Sequence, residues 1–196
     1  MLRKALPPFT EDPFVEEGKN RFPPYITVHI RRNDFEQYCP KGPVNGDRSE
    51  GCFTSLETWN EALESVRHDL INAQGMTPTE VSTLPILIFS DEPKRTTQWF
   101  MNRFHRPAGT SEAWWAAVDK LDWISIDHES PEINTQERWG YWYPILLDQV
   151  LMSHAVGFVG TEMSTFSLMA GKRVNGWWDG PVKMVQPVVD GLRPRS

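Results

Sequence analysis

Short, continuously apolar runs that alternate with helical periodicity constrain this chain more than any other feature. "YITVHI" (25–30), the start of "PILIFSDEP" (85–93) and "VGFVG" (156–160) are each bounded by turn-forming residues. Runs of this length with few polar alternates predict strands buried on both faces. "DWISIDHES" (122–130) alternates apolar with polar residues and predicts a further strand. Between the first two, "SLETWNEALESVRHDLINA" (55–73) carries Leu56, Trp59, Leu63, Val66, Leu70 and Ile71 at three-to-four spacing, with Gly75 beyond as a stop. Helical material is expected again through about Phe104, from Ser111 to Val118, and from about Pro144 to His154, where proline suits a first turn. A last helix is expected to open at an N-cap on Ser164 or Thr165.

Strands alternating with helices predict an α/β chain, a Rossmann-like parallel sheet with helices on both faces. The 196 residues fit one domain, or one lobe of a larger architecture. Residues 1–24 hold five prolines and many charges and read as an irregular lead-in or linker, leaving 25–196 for the sheet. In a parallel sheet, ligands bind at the carboxyl ends of the strands, often against helix N-termini. Three polar clusters fall at that edge: "HIRRND" (29–34), "SDEP" (90–93) and "GTEMSTFS" (160–167).

The net charge of -6 argues against a general nucleic-acid binder, so a phosphate ligand must be met by a local cluster. Arg31 and Arg32 supply one. Adjacent guanidiniums repel and need an anion between them or separate acidic partners. A strand-end arginine commonly serves as a salt-bridge partner, but its planar fork also matches phosphate oxygens. Asp34 can orient one guanidinium while the other meets a ligand. In "FVGTEMSTFS" (158–167) a strand end is followed by hydroxyls where a helix begins, and backbone N–H groups there form an anion site. Asp148 lies on a predicted helix among apolar neighbours. One carboxylate can accept both N1–H and the exocyclic amine of guanine, which makes Asp148 a candidate base reader.

Metal chemistry finds little support in the motifs. There is no His-Glu-x-x-His, no Cys-x-x-Cys and no closely spaced Asp-x-Asp, and Gly-x-Gly-x-x-Gly and Walker-type loops are absent too. Asp91 and Glu92 are adjacent, so their side chains should diverge. Asp127, His128 and Glu129 read as a solvated loop, and the aromatic run "RWGYWYP" (138–144) reads as core. Nine Trp and ten Phe suffice for a core and for a base- or sugar-binding pocket. No stretch approaches the ~18 apolar residues of a membrane span, so no membrane contact is expected. Cys39 and Cys52 share a Gly- and Pro-rich segment, where a disulfide and two free thiols remain equally open. There is no Asn-x-Ser/Thr sequon.

Together these residues resemble a known family. "HIRRNDF" (29–35) is similar to the His-x-Arg-Arg-x-Asp motif of GDP-fucose-dependent fucosyltransferases, and "FVGTEMSTFS" to their Phe-x-Gly-x-x-x-Ser-Thr-Phe motif. "IFSDEP" resembles a Thr/Ser-Asp-Glu turn of the same proteins, and Asp148 precedes Phe158 at the spacing of their guanine-contacting aspartate. The group most resembled is the GDP-fucose protein O-fucosyltransferases.

The resemblance implies the C-terminal, donor-binding lobe of a GT-B glycosyltransferase. Such an enzyme inverts at the anomeric carbon, needs no metal or other cofactor, and transfers fucose from GDP-fucose to a protein or glycan acceptor. It further implies that Arg31 contacts the β-phosphate, His29 lies beside the nucleotide and Asp148 reads guanine. Ser164, Thr165 and Phe166 would hold the diphosphate end, with Arg32 and Asp34 in support. The relatives work in the secretory pathway lumen. The acceptor-binding lobe has no room in the 24 residues before the first strand, which implies a fragment or a shortened relative. Two alternatives remain: a GDP-sugar-binding module without turnover, and a structural domain whose arginines pair with Asp34 and Asp91.

Overall fold

The computed structural model describes residues 22–32, 35, 53–94, 110–128, 130 and 133–187. Its centre is a five-stranded sheet: β1 (Ile26–Ile30), β2 (Ile86–Ser90), β3 (Ile124–Ser125), β4 (Gly157–Thr161) and β5 (Val182–Val185). The spatial order is β3-β2-β1-β4-β5, and every pairing is parallel. This is an α/β Rossmann-like fold. The strand order reverses between β1 and β4, whose register aligns His29 with Gly160. A crevice opens at such a reversal because the connections leave the sheet on opposite faces.

Helices cover both faces. α1 (Leu56–Gln74) is started by Ser55, whose hydroxyl accepts the Thr58 N–H, and is stopped by Gly75 at φ 71. Its buried stripe, Trp59, Leu63, Val66 and Leu70, packs in one core with Ile26, Val28, Ile30, Ile88 and Val159. α2 (Pro78–Ser82) follows, started by a capping box between Thr77 and Glu80. α3 (Thr110–Val118) adds Trp115 and Val118 to the same core. On the opposite face, α5 (Tyr143–Ser153) and α6 (Thr165–Trp178) bring Met152, Ala170 and Val174 against Tyr25, Phe89 and Phe158. A short helix, α4 (Thr135–Trp139), leads into α5.

Side-chain alternation along β1 decides where the polar residues go. Ile26, Val28 and Ile30 face α1, so Thr27 and His29 face α5 and α6. Gly160, beside His29, has no side chain to hold α6 away. A Cβ there would lie 2.9 Å from the Ser167 Cβ and would run into the Phe158 ring.

Several expectations need correction. The strand expected over 122–130 is only Ile124–Ser125. It pairs with β2 alone and leaves Ile124 exposed, and beyond it the chain turns so that the Thr135 N–H donates to the His128 carbonyl. β5, α2 and α4 were not expected. The aromatic run is not core: Trp139, Tyr141 and Trp142 are 53%, 67% and 67% exposed. The buried residues of α5 are confined to Met152 and Ser153 at its end, so its approach stays outside. Residues 1–21, the helix expected near Phe104, Asp34, Cys39 and Cys52 lie outside the described residues. Among the described residues no helix is long and apolar enough to cross a membrane.

Candidate functional site

At the carboxyl edge, a hydrogen-bond lattice ties the ends of β1 and β4 to the start of α6. The Arg31 N–H donates to Thr161 Oγ1 at 2.7 Å, and that hydroxyl donates to the His29 carbonyl at 2.9 Å. The Thr161 N–H donates to Ser167 Oγ at 3.0 Å, and Ser167 Oγ lies 2.6 Å from His29 Nδ1. This contact holds the His29 ring against the start of α6. Ser164 caps α6, its Oγ accepting the Ser167 N–H at 3.3 Å. The N–H groups of Thr165 and Phe166 belong to a first turn, where no intrahelical acceptor exists. The turn before it holds Met163 at φ 65, a left-handed conformation for a residue with a side chain.

His29 is buried, and burial together with the Arg31 guanidinium lowers its pKa to about 3. It is therefore neutral at physiological pH, not a cation. Arg31 brings a guanidinium to this edge, a third exposed, with Nε 3.1 Å from Asp91 Oδ2. The other Asp91 oxygen accepts the Arg32 N–H at 2.7 Å, so one carboxylate fixes the backbone after β1 and the direction of Arg31.

His29, Arg31, Phe89, Ser90, Asp91, Ile145, Asp148 and Phe166 line an open cavity of about 150 Å³. Its walls are mostly apolar, with Phe166 5.3 Å from the His29 ring centroid. A second cavity of about 140 Å³ meets it at Phe89, Ser90 and Asp148 and continues past Lys94, Trp115, Asp127 and His128. The cavity therefore collects four of the sequence candidates, His29, Arg31, Asp148 and Phe166. Ser164 is the buried N-cap of α6 and not among the lining residues, and Thr165 is exposed on the first turn of α6.

Arg32 is elsewhere. Its Nε lies 3.2 Å from the buried Glu92 Oε2, and its guanidinium stacks over Phe53 and Trp114 at 4.3 and 4.9 Å. Ser111 donates to Glu92 Oε1 at 2.7 Å, and the Trp115 indole donates to the Glu92 carbonyl. Arg32 and Glu92 thus form a satisfied interior pair that fastens β1, β2 and α3, and Arg32 is not part of the cavity wall. Asp91 and Glu92 diverge because adjacent residues leaving a strand point to opposite faces.

His128 is the residue that sequence reasoning left in solvent. Its Nε2 is 2.7 Å from Asp148 Oδ1 and its Nδ1 is 2.9 Å from the Thr135 hydroxyl. Burial raises the Asp148 pKa, while the hydrogen bond and charge of His128 pull it down. The available signal was position, since His128 follows a strand at the same edge as the other clusters. Among the described residues no group of three His, Cys, Asp or Glu side chains is placed to hold a metal ion.

No protein-family model matches the chain, and no curated protein matches it.

Proposed function

We propose that this chain is the donor-binding part of a glycosyltransferase that uses a guanosine-diphosphate sugar, with GDP-fucose the donor its motifs favour. The observation that carries the reading is the adjacency of two segments far apart in sequence. Arg31 after β1 and the start of α6 after β4 meet at the strand-order reversal, beside a cavity that also includes His29 and Asp148. An apolar slot with a carboxylate on its wall suits a base. A fixed guanidinium and a helix N-terminus suit the diphosphate.

In this reading an acceptor hydroxyl oxygen bonds to fucose C1 as the C1–O bond to the diphosphate breaks, GDP leaves with the bonding pair, and the hydroxyl proton passes to a base on the acceptor side. Negative charge grows on the departing oxygen. Arg31, aimed by Asp91, meets that charge without rearranging, which favours the transition state over the ground state. The neutral His29 ring can hydrogen-bond the same ligand without adding charge. The acceptor is a protein or glycan hydroxyl supplied from outside these residues, and the family resemblance assigns the work to the secretory pathway lumen.

Thermal unfolding of the full chain with GDP, GDP-fucose, UDP and ADP tests this. At a ligand concentration near one hundred times Kd, a site gains about 2.7 kcal/mol, which is roughly 5–10 °C for a chain of this size. GDP and GDP-fucose should raise Tm more than UDP and ADP do. The Arg31–Asp91 ion pair favours a second reading, a structural domain whose arginines are satisfied internally. Unfolding curves indifferent to all four nucleotides would favour it and overturn the donor reading.

A further inference from the structure

The proposed donor site is closed on one side by a relay that the donor motifs do not contain. Asp148 projects from α5 into the junction of the two cavities. His128 donates from Nε2 to its Oδ1 at 2.7 Å, and Thr135 holds the other ring nitrogen at 2.9 Å. Thr135 is fully buried, and its backbone N–H also donates to the His128 carbonyl at 3.0 Å. The ring is therefore pinned both through its side chain and through the backbone of its own loop.

We propose that His128 is a positioning residue that sets base specificity, holding the Asp148 carboxylate so that guanine is read in preference to adenine. The inference rests on the donor reading above. A carboxylate offers about four lone-pair positions over two oxygens, and His128 occupies one. The rest can face the paired N1–H and amino donors on the edge of guanine. Adenine presents an acceptor at N1 on that edge, which an ionised carboxylate repels. Hypoxanthine keeps N1–H but lacks the amine. The order of affinity is therefore GDP, then IDP, then ADP. Without the relay, Asp148 is free to rotate about its side-chain bonds, and burial works against its ionised form.

Two near-isosteric substitutions separate positioning from packing. In His128→Gln the amide nitrogen stands close to where Nε2 stood and can still donate to Asp148. In His128→Asn it stands near Nδ1 and cannot reach. Calorimetric titration of the full chain with GDP, IDP, ADP and inorganic pyrophosphate should give a GDP-to-ADP ratio in His128→Gln close to that of the unaltered protein. In His128→Asn the ratio should collapse about tenfold, the share of one charge-assisted hydrogen bond. Pyrophosphate affinity, which depends on Arg31, should stay level in both. Thr135→Val should lower the ratio in the same direction, and it carries the test if His128→Asn does not fold. Undiminished discrimination in His128→Asn or Thr135→Val overturns the positioning role while leaving the donor site standing. Failure of the unaltered chain to bind GDP at all overturns both.

Discussion

Acidification should act on this protein through His29 more than through any surface histidine. The ring is buried between β1 and α6, with Ser167 on one nitrogen and Arg31 close by, and its pKa falls from 6.5 to about 3. Because the folded value is depressed, the unfolded chain binds the proton more readily. The stabilising contribution is complete above pH 6.5 and is lost as pH falls through 6.5 toward 3. Each pH unit in that window is worth about 1.4 kcal/mol, so roughly 2 kcal/mol is lost between neutrality and about pH 5. The assay is urea unfolding of the native chain and of His29→Gln across this range. The glutamine removes the titration, whatever it does to absolute stability, and the remaining histidines are common to both proteins. The native chain should lose about 2 kcal/mol more than the variant by about pH 5. Parallel pH profiles would refute the buried, neutral His29.

Other substitutions separate the site from its scaffold. Arg31→Ala should weaken GDP binding by roughly 10–100-fold, the loss expected of a charge-assisted hydrogen bond, with urea midpoints little changed; calorimetry against unfolding separates the two. Arg31→Lys should behave similarly, since an ammonium cannot hold Asp91 and a phosphate in one planar fork. Gly160→Ala should cost about 1–3 kcal/mol by forcing Phe158 and Ser167 aside, and should reduce GDP affinity as Ser167 leaves His29; a variant of unchanged Tm and affinity contradicts the close approach of α6. Thr27→Val should stabilise the fold by about 1 kcal/mol in urea unfolding, because the buried Thr27 hydroxyl has no hydrogen-bond partner among the described residues and the valine matches its shape.

The outline of the fold was legible because it depends on local pattern. The β1, β2 and β4 runs, the stripe of α1 with its Gly75 stop, and a hydroxyl cap at Ser164 or Thr165 on α6 all follow from hydrophobic period and end chemistry. β5 was missed because "VKMV" is an edge strand of only partly apolar character, made a strand by pairing with β4. The aromatic run misled because aromatic content reports burial only on average, and the placement of α5 leaves that segment facing outward.

Sequence alone determined that an α/β chain would set three polar clusters at strand ends, since strand length and turn chemistry fix where each run stops. Tertiary structure alone decided which members of those clusters meet. Strand order put Arg31 next to the start of α6, and the pleat sent His29 toward Ser167. Packing of α3 drew Arg32 into the interior with Glu92, and the short reach of β3 returned His128 to Asp148. Neighbours along the chain are set by covalent spacing. Neighbours across the sheet are set by register and by which side chains fill the remaining space, and no local pattern carries that information.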